Sequence, residues 1–272
     1  MNFSLLSCCM CGKPPEMAVQ TAKEIGFFAI DWVTLCGKTP EYLRKITLDA
    51  GLEIGTYTFV LKDFPNGNWR DAAKREIANA TALGASAVML PTMEIAGIHD
   101  RIPARRKWID ALSEIVSLAS QANLVFTIEN YAGIDSPCIT FDDFLEFRKE
   151  IPSLYLTFDC GNAFTGEDPA ASLHKSIPYI RNVHIKDWTI TSGQQSPGSC
   201  RMPDGTCYGM TLPLSGIVPV REIMEGLGRL KYRGNMVLEY IYADYPVPVQ
   251  QEMIAALKDI LRRESSPDRS VP

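Results

Sequence analysis

The chain has 272 residues, 46% of them hydrophobic, and a formal charge of −5. That length buries a substantial core, and the acidic balance offers no electrostatic footprint for a polyanion, which argues against a nucleic-acid partner. No run of 18 apolar residues exists to span a membrane.

Phe3–Ser7 reads as a first buried strand. It overlaps Leu5-Leu6-Ser7-Cys8, which superficially resembles a lipoprotein cleavage box but lacks a basic leader. The eight cysteines are spread irregularly, so reduced thiols in a cytoplasm are expected. Cys8, Cys9 and Cys11 form a zinc candidate without a second C-x-x-C pair to complete it. Cys200 and Cys207 bracket a loop in which they can pair or respond to redox conditions; buried or idle thiols are the expectation.

A helical pattern through Ala18, Ala22 and Ile25 stops at Gly26, and Phe27–Trp32 is a second apolar run. Thr39-Pro40 supplies an N-cap and a proline at the first helical position, opening a helix that runs to Gly51. Leu52–Tyr57 is the third strand. A helix from about Trp69 to Leu83, closed by Gly84, leads to the fourth, Ala87–Pro91. Residues 103–122 place Ile109, Leu112, Val116 and Ala119 on one helical face, and Leu124–Glu129 is the fifth strand. Thr140 with Asp143 starts a helix that ends before Pro152. Leu156–Asp159 and a run ending near His184 are strands six and seven, joined through an Asp168-Pro169 helix start. Thr189–Gly216 reads as a long Gly/Pro/Ser loop, followed by a helix at 219–229, the strand Met236–Glu239 and a last helix at Gln250–Leu261.

Eight strands alternating with eight helices at a period of about 30 residues predict a single (β/α)8 TIM barrel domain spanning 1–272. An open doubly wound sheet is the alternative, but no Gly-x-Gly-x-x-Gly follows any strand. In a barrel, residues at the C-terminal strand ends converge on one mouth. The last four strands bring Glu129, Asp159, His184 and Glu239 there. Three carboxylates at one mouth repel one another, and a dication relieves that repulsion. The mixed O/N set suits manganese, magnesium, cobalt or zinc. Taken singly, a strand-end carboxylate more often caps a helix, and a lone His more often completes a core hydrogen bond. The coincidence of four is what points to an ion.

LVFTIEN, LTFDCGNAFTGEDP, VHIKDW and MVLEY resemble the sugar isomerase/epimerase group of xylose isomerase-like barrels. The resemblance implies that Glu129, Asp159, His184 and Glu239 hold one divalent metal, most often manganese, and that Glu129 and Glu239 double as the acid/base pair. It also implies substrate contacts at Asn162, where many epimerases have His, and at Asp135, six residues after Glu129. Some relatives carry an Arg shortly after the metal His; here Ile190 stands there, and Arg201 in the long loop is a substitute candidate. Lys186 is a further candidate, as an electrophile or acid toward substrate, or else as a rim partner of Asp187.

The expected activity is isomerisation or epimerisation of a keto-sugar or sugar derivative through a metal-bound enediolate. Loss of a β-substituent from the same intermediate makes a dehydratase or lyase on a keto-sugar or keto-glycoside the alternative. An AP-endonuclease-like phosphodiesterase on this fold needs many histidines, whereas this chain has only His99, His174 and His184. A non-enzymatic binding module has no need for three carboxylates at one mouth. The expected partner is a small sugar; homo-oligomerisation is open. The loop at 189–216 is expected to wall or cover the site, or to make an oligomer contact.

Overall fold

Runs such as Phe3–Leu6 and Val125–Glu129 are mostly apolar and buried at nearly every position, which suits strands buried on both faces. The computed structural model, which describes residues 3–133, 135–193, 199–202 and 205–265, arranges them that way. Strands β1 (Phe3–Leu6), β2 (Ala29–Val33), β3 (Glu53–Thr58), β4 (Ala87–Pro91), β5 (Val125–Glu129), β6 (Tyr155–Asp159) and β7 (Ile180–Thr191) pair in parallel in that order. Two short strands, β8 (Cys200–Arg201) and β9 (Cys207–Thr211), stand outside the ring. β10 (Asn235–Glu239) pairs in parallel with both β7 and β1 and closes it. The result is the expected (β/α)8 barrel.

The outer layer consists of α1 (Pro15–Ile25), α2 (Pro40–Asp49), α3 (Arg70–Leu83), α4 (Arg101–Gln121), α5 (Phe141–Glu150), α7 (Pro169–Ser176), α8 (Val220–Arg229) and α9 (Val247–Ser265), with the five-residue α6 (Cys160–Phe164) at the mouth. Their starts carry the sequence signals. Thr39 Oγ1 accepts from Tyr42 N ahead of Pro40, and Asp168 accepts from Ala170 N ahead of Pro169. Thr140 and Asp143 form a reciprocal capping box at α5. Asp143 also takes Arg101 and Arg105 of α4, binding two neighbouring helices through one carboxylate.

Two expectations change. β7 does not stop near His184: it leaves the barrel after Lys186, which pairs with Glu239, and runs to Thr191 against β9 in antiparallel register. The stretch from Thr189 to Gly216 is therefore largely a β-hairpin rather than a loop, although residues 194–198 and 203–204 lie outside the described residues. Short strands flanked by Gly, Pro and Ser carry too little periodicity to be read from sequence. The same register places Cys207 opposite Arg201 and Cys200 opposite Tyr208, so the two thiols project from opposite faces of the hairpin and are free. The residues after Asp159 form the short helix α6, which Asp159 itself caps by accepting from Asn162 N at 2.7 Å. Among the described residues, no helix is long and apolar enough to cross a membrane.

Candidate metal centre

Glu129, Asp159 and Glu239 are the last residues of β5, β6 and β10. His184 lies inside β7 directly beside Asp159, in the register Asp159↔His184. The sequence-predicted quartet therefore meets at one mouth. His184 Nδ1 is 2.8 Å from Glu129 Oε1, 3.1 Å from Glu239 Oε2 and 4.0 Å from Asp159 Oδ2. One atom from each of the four residues falls within 4.8 Å of all the others, and among the described residues this is the one His/Cys/Asp/Glu group so spaced. Cys8, Cys9 and Cys11 form no such group, although all three line the pocket above the quartet.

Residues two apart on a strand share a face, so Lys186 follows His184 into the barrel while Asp187 turns away. Lys186 Nζ lies 2.5 Å from Glu239 Oε1, 3.7 Å from Asp159 Oδ2 and 3.4 Å from Asn162 Oδ1. Asp187 is not its partner. That carboxylate accepts from Trp188 N, Gly216 N and Val218 N, and so anchors the end of the hairpin. Gly161 makes room for the lysine: a Cβ there would stand 2.9 Å from Lys186 Cβ and Cγ.

Asn162 is buried beside the quartet. Its Nδ2 donates to Asn130 O at 3.0 Å, and its Oδ1 faces Lys186. Asn130 clamps the mouth by exchanging two hydrogen bonds with the backbone of Asp159. Asp135 is placed differently: its Oδ2 lies 2.8 Å from His99 Nδ1 at the surface. The neighbours Gly133 and Ser136 line the pocket, but Asp135 does not. His174 sits on α7, so His184 is the sole histidine of the mouth among the three in the chain.

The electrostatics follow from burying several charges together. Burial raises the Asp159 carboxyl well above the usual carboxylate range, only partly offset by Lys186. Burial acts on Glu239 in the same direction, but the Lys186 ammonium and the His184 ring beside it prevail and hold it well below that range. Burial disfavours a charged His184, yet Glu129 and Glu239 raise its pKa well above that of a free imidazole. Lys186 follows the same logic: burial lowers it, and Glu239, Asp159 and Glu129 together raise it well above its normal value.

The residues present suit a divalent ion. Asp159 Oδ2 is buried and has no hydrogen-bond partner among the described residues; Lys186 Nζ at 3.7 Å and His184 Nδ1 at 4.0 Å stand too far to donate to it, and a bound cation would offset that cost. The four donor atoms lie within 4.8 Å of one another, so a small contraction of the cluster brings all of them to about 2.0–2.3 Å from a single ion.

A pocket of 510 Å³ opens above the quartet. Glu239, Lys186 and Asn162 form its floor, and Tyr131 and Trp188 stand in its walls. Cys200, Arg201 and Met210 of the hairpin also face it, so the long insertion after β7 does wall the site. Tyr131 and Trp188 were not singled out from sequence. The available signal was position: each follows a proposed ligand or site lysine by two residues on the same strand or its extension.

Fold and donor set define an α/β barrel with a candidate divalent-cation centre at its C-terminal mouth. The chain belongs to the xylose isomerase-like TIM barrel family, whose signature matches residues 19–261. It is 26% identical over 134 residues to an inosose dehydratase of Geobacillus thermodenitrificans strain NG80-2; that match covers 48% of this chain and spans about half, 45%, of the relative. Among solved structures it resembles the IOLI protein with a bound zinc atom, with a TM-score of 0.76 at 13% identity, covering 97% of this chain and 99% of that one. An L-ribulose 3-epimerase matches with a TM-score of 0.75 at 14% identity, covering 100% and 99%.

Proposed function

We propose that the protein is a divalent-metal-dependent isomerase or epimerase acting on a keto-sugar or sugar derivative. The observation that carries this reading is the convergence of Glu129, Asp159, His184 and Glu239 within 4.8 Å beneath a pocket wide enough for a sugar. These four residues would hold the ion, with manganese proposed first and magnesium, cobalt or zinc also compatible with the donors. When bound, the ion polarises a substrate carbonyl and stabilises negative charge on its oxygen.

The chain's own residues supply the proton transfers. Glu239, ionised beside Lys186 and His184, lines the pocket floor, and that position places it to remove the proton from the carbon beside the carbonyl. Glu129, whose Oε1 lies 2.8 Å from His184 Nδ1, would take up a proton from solvent and return it to the opposite face, which inverts the centre, while Glu239 gives its proton up to solvent. Delivery to the neighbouring carbon instead interconverts aldose and ketose. Lys186 and Asn162, which face the pocket floor together, bind and orient substrate oxygens. Asp135 contributes a substrate contact only if its carboxylate leaves His99.

The similarity to an inosose dehydratase favours a second reading: after the same proton removal by Glu239, a β-hydroxyl would leave as water, which makes the protein a dehydratase or lyase. Incubating the manganese-loaded protein with ketohexoses and inososes in deuterated water tests both. Deuterium at the carbon beside the carbonyl of an epimerised or isomerised product supports the first reading; a product lighter by one water supports the second. Complete inertness of both substrate classes, with metal bound, contradicts both.

A further inference from the structure

Barrel interiors of this kind are ordinarily packed with branched apolar side chains. Below His184, however, the interior holds a fully buried carboxylate, Asp31. It sits where β2 shifts register between Ile30 and Trp32. Gly55 on β3 is required for it: a Cβ at that position would lie 1.9 Å from Asp31 Oδ1. Asp31 accepts from Asn235 Nδ2 at 2.9 and 3.1 Å and from Thr56 N at 3.1 Å. Ser4 also interacts with it, and Asn182 Nδ2 is 3.5 Å from Asp31 Oδ2. Burying a carboxylate is costly, and burial raises its pKa accordingly. A group kept at that cost, in line with the mouth, calls for a role.

Asn182 precedes His184 by two residues on β7 and shares its inward face. The two sides of the imidazole are distinct. Nδ1 faces the three carboxylates, whereas Nε2 points down to Asn182, 3.3 Å from its Nδ2. An imidazole that ligates a cation through Nδ1 carries its proton on Nε2, and that N–H needs an acceptor which also fixes the ring. Among the described residues Asn182 is the one side chain within hydrogen-bond distance of Nε2. An amide combines an acceptor with a donor, and the Asn182 Oδ1 is buried and without a partner among the described residues.

We propose that Asn182, seated between Asp31 and His184, is a positioning residue for the metal centre. Asn182 Oδ1 accepts from the His184 Nε2–H once the amide turns over about its Cβ–Cγ bond, taking the place that Nδ2 now holds 3.3 Å from Nε2. That hydrogen bond fixes the tautomer and tilt of the ring, so that Nδ1 is the atom presented to the cation. This rests on the metal-centre reading given above.

The test uses the full chain and zinc ion alone as the probe. Zinc affinity is measured by competition with a chromophoric chelator for wild type and Asn182→Leu, alongside circular dichroism of both metal-free proteins. The expected result is a 10–100-fold weaker zinc constant in Asn182→Leu with an unchanged spectrum. A purely structural asparagine would alter the metal-free fold and leave the zinc constant alone. Equal affinity in the two proteins overturns the positioning role while leaving the metal centre intact. Failure of wild type to bind zinc removes the metal centre and this inference with it. Should Asn182→Leu not fold, nitrogen-15 NMR of zinc-loaded wild type decides: a proton on His184 Nε2 with zinc on Nδ1 supports the proposal, and zinc on Nε2 overturns it.

Discussion

Lys186 Nζ lies 2.5 Å from Glu239 Oε1, so an ammonium shares the mouth of the barrel with the residues that would hold a metal ion. This contact sets up a competition. The lysine neutralises part of the charge that attracts a cation, and it repels the cation itself. Replacing it with methionine, which fits the same slot beside Gly161, is expected to tighten manganese binding while lowering turnover at least tenfold, because a substrate contact is lost. Calorimetry for the ion and kcat/KM for the reaction read the two effects separately. Weaker manganese binding in Lys186→Met would contradict this view of the lysine.

Glu129 and Glu239 are assigned proton transfer as well as metal ligation. General acid–base groups contribute about 10²–10⁴-fold. Glu239→Gln and Glu129→Gln should each lower kcat by that much in enzyme whose metal content has been shown to match wild type. Full activity in metal-replete Glu239→Gln would leave that residue, at most, a ligand.

Metal uptake should release protons. The metal-free protein holds the proton of His184 strongly, since Glu129 and Glu239 raise its pKa well above the free value, and burial raises Asp159. Both groups must be unprotonated to ligate. Affinity therefore rises with pH through the range in which these groups give up their protons, and falls as pH drops below it. Titration calorimetry in buffers of different ionisation enthalpy measures the release. A binding enthalpy independent of buffer would count against ligation by His184 and Asp159.

Thiol reactivity should separate by position. Burial raises the pKa of Cys138 and of Cys160 far above that of a free thiol, whereas Cys8 and Cys11 are exposed at the rim of the pocket. Iodoacetamide applied to the native protein should label Cys8 and Cys11 and leave Cys138 and Cys160 unmodified until denaturant is added. Peptide mass spectrometry reads this directly, and rapid native labelling of Cys160 would show that the mouth opens more than the structure allows.

One stability prediction comes from outside the site. Asp143 caps α5 and binds both Arg101 and Arg105, so Asp143→Ala removes the cap and leaves two guanidinium groups without their carboxylate. Losing one partner of a largely buried pair costs about 3 kcal/mol or more. Urea unfolding should show a loss of that size; a loss below about 1 kcal/mol would mean that water replaces the carboxylate easily.

The barrel was legible in the sequence because its strands are short, mostly apolar runs at a regular spacing and its helices begin at strong caps such as Thr39-Pro40, Thr140–Asp143 and Asp168-Pro169. The quartet was legible because parallel strands end at one edge, so four ligand-type residues near successive strand ends must converge. The hairpin after β7 was not, since its strands are short and its pairing partner is set only by folding. Nor was the true partner of Lys186: Asp187 is adjacent in sequence, but the alternation of a strand sends the two side chains to opposite faces, and Glu239 arrives from 53 residues away as the register neighbour. Asp31 and Asn182 carried no local signal at all. Their contact forms only where β2 and β7 meet across the barrel interior.

The central claim, one divalent ion held by Glu129, Asp159, His184 and Glu239, is tested most directly by anomalous diffraction from crystals of manganese-loaded protein. The predicted result is a single strong peak about 2.0–2.3 Å from carboxylate oxygens of the three acidic residues and from His184 Nδ1. An empty quartet in fully loaded crystals, or the ion bound instead at the Cys8, Cys9 and Cys11 rim, would contradict it.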